Sequence, residues 1–279
     1  MARVVLVAGA SSGLGRAVAR ELALGGDRVY AGARTFAAMP EIAPEGCLPV
    51  ALDVTDAASV QDAVAQVLQA EGRIDALVNC AAVLSLGSCE ETDDATLRRV
   101  LETNFIGMTR MTRAVLPAMR RQGCGRVVQF SSINGLLAVP FQGAYTAAKH
   151  ALEGWNETLA MEAGRLGVKI TLVEPGDCRG GSMAYRGHLE ASEAADSPYR
   201  AAYRAAVAAI SRDEAGGLSP ETVAKAVARL LGRRHPPLRL RVARIDQRLA
   251  VWLHDLLPGR LFGRILARYY GAQNPPKEA

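Results

Sequence analysis

A chain of 279 residues, 49% hydrophobic and 22% charged, has the composition of a folded protein with a substantial core, either one large α/β domain or two small ones. It has no apolar run of about eighteen residues, which speaks against a transmembrane helix; its five cysteines are scattered without a CxxC and its four histidines stand far apart, which disfavours a disulfide framework and a metal site. The net charge of +5 is uneven: nine arginines and two acids between Arg233 and Arg268 give +7 there and −2 elsewhere, so the basic character belongs to the tail and no nucleic-acid partner is expected.

In chain order, Arg3–Ala8 reads as a buried strand running into a glycine-rich turn, too short for a signal peptide, so the protein is expected to be cytoplasmic. A helix over Leu14–Leu24, a strand over Arg28–Ala33 and another over Leu48–Leu52 follow. Val60, Val64, Val67 and Leu68 recur at helical spacing and predict a helix from about Asp56 to Ala70. Ile74–Val78 and Arg126–Phe130 are the next strands, separated by a long helical region, Asp94–Arg121, with a break expected at Pro117. A helix over Ala144–Arg165 and a strand over Val168–Val173 complete the regular part. Asp177–Ser197, rich in glycine, serine, alanine and charge, suits a mobile loop or lid. Helices are predicted over Pro198–Ser211 and Pro220–Leu231, a last strand over Leu238–Val242, and a helical tail after it.

Repeated β-α units with nearly all-apolar strands mean a parallel sheet covered on both faces, and right-handed crossovers make it doubly wound. Without a linker or repeat to divide it, the chain reads as one domain over 1–279. A cofactor and catalytic core occupies 1–176, a substrate loop with helices 177–232, and a basic amphipathic tail 233–279.

Strand one ends in Gly9-Ala10-Ser11-Ser12-Gly13-Leu14-Gly15, directly before a helix. Glycines here allow a tight turn and close backbone approach to a pyrophosphate, while the helix N-terminus supplies free N–H groups and positive potential. The Gly-xxx-Gly-x-Gly spacing resembles the TGxxxGxG signature of the short-chain dehydrogenase/reductase family, with Ala8 in the threonine's place. That family has a Rossmann fold and acts as nicotinamide-dependent oxidoreductases. The end of strand two, where an acid would hold the adenosine ribose, carries Ala33-Arg34 with no acid nearby. A guanidinium fork suits a 2′-phosphate, with Ser11 or Ser12 as a further donor, so NADP(H) is expected over NAD(H). By the same resemblance, Asp53-Val54 borders the adenine, Asn79 and Ala81 match the family's NNAG, and Pro175-Gly176 lie beside the nicotinamide; the threonine that often follows is absent from Asp177–Gly181, with Ser182 the nearest hydroxyl.

Tyr145 and Lys149, four apart at the start of a helix, share one face. A tyrosine, with a reference pKa near ~10, needs a shift worth roughly 4 kcal/mol to act as a base near pH 7. A cation about 4 Å away at an effective dielectric near 20 supplies about that much. Ser132 lies at the C-terminal end of strand five, where open parallel sheets form their ligand crevice. Ser132, Tyr145 and Lys149 match the family's serine and YxxxK motifs, and Asn104 matches its helical asparagine.

The resemblance implies four roles: Tyr145 exchanges a proton with the substrate oxygen, Lys149 lowers the tyrosine pKa and binds the nicotinamide ribose, Ser132 polarises the carbonyl, and Asn104 holds a water linking Lys149 to solvent. Ser131 reads as structural.

The expected function is hydride transfer between NADP(H) and the carbonyl or alcohol carbon of a small hydrophobic substrate. A homodimer or homotetramer is implied by the resemblance. Leu136–Phe141 are equally readable as pocket lining or as core. The tail resembles the extended C-terminus of family members acting on steroid- or retinoid-like substrates. It is read as a cover for the cleft, then as a dimer contact, then as a membrane-surface helix. Two other classes compete: a catalytically silent NADP(H)-binding sensor or scaffold, which the complete Asn104, Ser132, Tyr145, Lys149 set disfavours, and a sugar-nucleotide epimerase or dehydratase, whose larger substrate domain this length does not provide.

Overall fold

The computed structural model describes residues 2–34, 46–180 and 186–272. Nine strands and ten α-helices follow one another among these residues. They begin with β1 (Val4–Ala8), α1 (Gly13–Leu24), β2 (Arg28–Ala33), β3 (Leu48–Ala51), α2 (Ala57–Glu71), β4 (Ala76–Asn79) and β5 (Leu84–Leu86). Then come α3 (Asp94–Leu101), one turn of π-helix (Glu102–Gly107), α4 (Met108–Gln122), β6 (Gly125–Phe130), α5 (Gly143–Gly164) and β7 (Val168–Pro175). The chain continues through β8 (Arg186–His188), α6 (Glu190–Glu193), α7 (Arg200–Ala215), α8 (Pro220–Gly232), β9 (Arg239–Val242), α9 (Ile245–Leu256) and α10 (Gly259–Tyr269).

Seven strands form one parallel sheet in the order β3-β2-β1-β4-β6-β7-β9. Alternation along β1 sorts its side chains onto two faces. Val5 and Val7 pack under α1 and α8 with Val18, Leu22, Val223 and Val227, whereas Val4, Leu6 and Ala8 pack under α2, α4 and α5 with Val64, Val115 and Leu159. The two apolar layers give the doubly wound Rossmann architecture that the sequence pattern predicts. The order reverses between β1 and β4, and the carboxyl ends of both strands open onto the crevice that this reversal creates.

Three features depart from the sequence reading. The helical region does not break at Pro117, which lies inside α4; the interruption falls on the π turn. Its cause is local: Asn104 is pinned to Val83, and a Cβ on Gly107 would stand 2.8 Å from Val54 Cγ2. Within the loop expected over Asp177–Ser197, the residues Arg186–His188 pair with Leu84–Leu86 as a separate two-stranded parallel sheet, and a short helix follows. The helical tail consists of two helices divided at Pro258, whose ring holds the preceding Leu257 in an extended conformation.

Candidate active site

The crevice is a cavity of about 520 Å³ that runs from the glycine turn to the start of α5. Gly9, Ser11, Ser12, Gly13, Leu14 and Gly15 line one end. Gly9 has φ +80°, and a Cβ on it would stand 2.6 Å from Ala81 N, so the turn and the strand-four exit approach as closely as backbone allows. Ser12 is the N-cap of α1, yet its side chain makes no capping bond and no acid occupies the first turn. The N–H groups and the positive end of the dipole therefore face the cavity uncompensated, in contrast to the side-chain caps of α2, α3 and α8. Arg34 also borders the cavity, at the exit of β2. This chemistry, backbone N–H donors with a guanidinium beyond them, fits a phosphorylated dinucleotide.

Asp53, Val54, Ala81, Pro175 and Gly176 line the same cavity. The Asp53 carboxylate is engaged by Thr55, through its N at 2.8 Å and its hydroxyl at 2.7 Å, while Ser59 Oγ accepts from Asp53 N at 2.9 Å. Asn79 is different. It is fully buried and turned toward α4, where its Nδ2 donates to Gln129 Oε1 at 2.9 Å and to Met108 O at 3.1 Å. Asn79 therefore stands behind the cavity wall, contrary to its reading as a cofactor contact. As the last residue of β4 its side chain falls on the α4 face, and only the residues after it turn into the crevice. Ser182 lies outside the described residues.

At the other end, Ser132 follows β6 with extended backbone, its Oγ accepting from Asn134 N at 3.1 Å, and lines the cavity together with Tyr145. The neighbouring Ser131 is buried, with no hydrogen-bond partner for its hydroxyl among the described residues. Tyr145 lines the cavity; Lys149 does not, lying one helical turn beneath it, 1% exposed, with Nζ donating to Phe130 O at 2.6 Å. The ammonium stands 5.5 Å from the Tyr145 ring centroid. Burial pulls Lys149 down to about 8, against the pull of Cys80 and Glu153. Burial pushes the Tyr145 phenol up to about 12, opposed chiefly by the Ser132 hydroxyl. Desolvation of the hydroxyl is the largest influence on the phenol.

Asn104 is buried in the π turn and does not reach the cavity; its Oδ1 accepts from Val83 N at 2.8 Å and its Nδ2 donates to Val83 O at 2.7 Å. Its side chain is a clamp on the segment leaving β4.

Several lining residues carry no motif and escaped sequence reading. Asp177 is pushed up to about 6 by burial and by the neighbouring Asp213 and Glu214, all three bordering the cavity. Arg99 from α3, Gln142 before α5 and Tyr270 from the tail also reach it. Of the apolar stretch before Tyr145, Val139 lines the cavity while Leu137 and Val139 pack under Val251 and Phe262 of the tail, so the stretch is both core and pocket wall.

A family model of short chain dehydrogenases matches residues 3–188. The chain belongs to the short-chain dehydrogenase family. Its members are oxidoreductases acting on CH–OH and carbonyl groups, and this chain is similar along its whole length to several of them. A 3-ketodihydrosphingosine reductase of Bacteroides thetaiotaomicron is 32% identical over 96% of this chain and 98% of its own. A solved short-chain dehydrogenase of Streptomyces avermitilis is 34% identical, with a TM-score of 0.79, covering 97% of this chain and 98% of the other. An actinorhodin polyketide ketoreductase variant solved with NADPH is 30% identical, with a TM-score of 0.71, over 86% of this chain and 95% of its own.

Proposed function

We propose that this short-chain dehydrogenase reduces a ketone on an amphiphilic, long-chain substrate, using NADPH. The observation that carries the reading is one cavity holding the uncapped glycine turn and Arg34 at one end and Ser132 with Tyr145 at the other. NADPH in a related ketoreductase supports the cofactor assignment, and Arg34 is the residue that would meet the 2′-phosphate. Bound there, the dinucleotide supplies the hydride.

The protein's residues do the rest. Ser132 Oγ hydrogen-bonds the substrate oxygen and sets its position relative to the phenol. Tyr145, a neutral phenol at pH 7 whose burial further disfavours ionisation, is the proton donor to that oxygen. Lys149 is a positive charge fixed beneath the phenol by Phe130 O, placed to stabilise the phenolate left behind. Val83, Leu84, Val139 and Ile210 give the cavity apolar walls, and Asp177 lies at its acidic side. A long-chain amino ketone, the class to which 3-ketodihydrosphingosine belongs, would place hydrocarbon on the first group and an ammonium near the second.

Oxidation of NADPH, followed at its absorbance band, tests the reading across 3-ketodihydrosphingosine, short aliphatic ketones and sugar nucleotides. The long-chain ketone is expected to give the highest kcat/KM, and Tyr145→Phe to lose turnover by about 10³-fold while still binding NADPH. Near-normal turnover in Tyr145→Phe overturns the mechanism, and preference for a short ketone overturns the substrate class.

A further inference from the structure

The tail has two faces with different fates. Its inner face is spent on the protein: Val251 and Phe262 are buried against Ile133, Leu137 and Val139, and Tyr270 reaches the cavity. Three of its arginines are spent too, Arg239 and Arg241 on Glu174 and Arg244 on Asp246. The outer face is not. Ile245, Leu249, Trp252 and Leu256 recur along α9 at intervals of four, three and four residues, which sets them in one stripe about 60° wide. All four project outward, Ile245 at 85% exposure, Trp252 at 57% and Leu256 at 58%. On α10 the exposed Leu261 and Ile265 alternate with the exposed Arg260 and Arg268, and Arg248 flanks the α9 stripe.

We propose that the outer face of α9 and α10 docks the protein on the surface of an anionic phospholipid bilayer. Charge selects this occupant. Arg248, Arg260 and Arg268 surround the apolar residues, with Asp255 as the nearest exposed acid on this stretch beside Asp246, which Arg244 holds. A second copy presenting the same face about a two-fold axis would set these arginines against themselves. A bilayer of anionic lipid offers phosphates to the guanidinium groups and hydrocarbon to the indole and leucines within the same few ångströms of depth. No helix among the described residues is long and apolar enough to cross a membrane, so the contact is interfacial. This inference concerns binding alone and stands or falls without reference to the substrate.

The full chain, mixed with vesicles of phosphatidylcholine and phosphatidylglycerol, is expected to co-sediment with them, to be released by high salt, and to show a blue-shifted Trp252 emission. Pure phosphatidylcholine vesicles should bind it far more weakly. Trp252→Ala and the double variant Arg260→Glu, Arg268→Glu should each weaken binding by about tenfold or more while leaving dinucleotide binding unchanged. Three results would overturn the proposal: no sedimentation with the anionic vesicles, equal binding to both vesicle types, or variants that bind as the parent does. Should Trp252→Ala lower the molar mass by light scattering and leave vesicle binding intact, the face belongs to a second copy of the chain.

Discussion

Replacing Lys149 by methionine separates the energetic cost of the buried ammonium from its use. The side chain is 1% exposed, and burial pulls it from the ordinary 10.5 to about 8. That displacement is worth roughly 3.4 kcal/mol against the charged form in the folded state. Below about pH 8 both folded and unfolded chains carry the proton, and the cost is present in full. Between about 8 and 10.5 the unfolded chain holds more of the proton than the folded one, so stability rises with pH; above 10.5 the cost has gone. Methionine fills a similar volume without charge, but it forfeits the 2.6 Å bond to Phe130 O, and an orphaned carbonyl costs about 1–3 kcal/mol. At pH 7 the variant is therefore expected to equal or exceed the parent in stability, by about 0–2 kcal/mol, while losing turnover.

Urea unfolding of both proteins at pH 7 and pH 10 gives the sharper measurement. The parent should gain on the variant by about 2.5 kcal/mol between the two pH values, because only the parent loses its buried charge. Other titrating groups cancel in the difference. Parallel stability curves would refute the reasoning, showing that the ammonium is not held at the cost its burial implies.

Arg34→Asp should reverse cofactor preference, with NADPH losing about 10- to 100-fold in kcat/KM and NADH gaining, the range expected for one charge-assisted phosphate contact; unchanged selectivity removes Arg34 from the site. Gly9→Ala forces a side chain into a φ of +80° with its Cβ 2.6 Å from Ala81 N, and should cost about 2–4 kcal/mol in thermal or chemical unfolding together with most dinucleotide binding. Arg239→Ala leaves the buried carboxylates of Glu153 and Glu174 short of a counter-charge and should destabilise by about 3–5 kcal/mol, whereas Arg239→Lys should restore part of the loss. A loss below about 0.5 kcal/mol on unfolding would show that Arg241 alone satisfies Glu174.

The fold was legible because its signals are local and repeated. Apolar strands of four to eight residues between helices at 3.6 periodicity fix the sheet, and β2 falls on the predicted residues. What stayed hidden depends on partners far along the chain. Leu84–Leu86 and Arg186–His188 are three residues each and acquire strand character only by pairing across about a hundred intervening residues. The π turn is dictated by what Asn104 and Gly107 meet in space, not by a helix-breaking residue type. In the site, the motif residues that line the cavity lie on strand exits and helix starts, where residue type follows from backbone geometry. Asp177, Asp213 and Tyr270 arrive from three separate segments with no shared spacing, so no pattern joins them. Asn79 misled for a related reason: the motif names the residue, while strand alternation decides which way it faces.

The pocket also leans toward one direction of reaction, and a pH profile can read it. A phenol pushed up to about 12 is protonated throughout the neutral range, the state a proton donor to a nascent alkoxide needs. Oxidation of an alcohol requires the phenolate, which at pH 7 lies roughly 7 kcal/mol away from such a phenol. Lys149 adds its own boundary, since it is charged below about 8 and neutral above. Carbonyl reduction is therefore expected to hold a plateau through neutral pH and to fall as pH rises past about 8, when the ammonium that stabilises the departing proton's phenolate is lost. Alcohol oxidation should start low at neutral pH and rise with alkalinity. Lys149→Arg, charged at every accessible pH, should flatten the alkaline fall in reduction if it retains turnover. An oxidation maximum at neutral pH, or a reduction plateau that extends unchanged to pH 10, would mean that burial does not set the protonation of Tyr145 and Lys149 in the working enzyme.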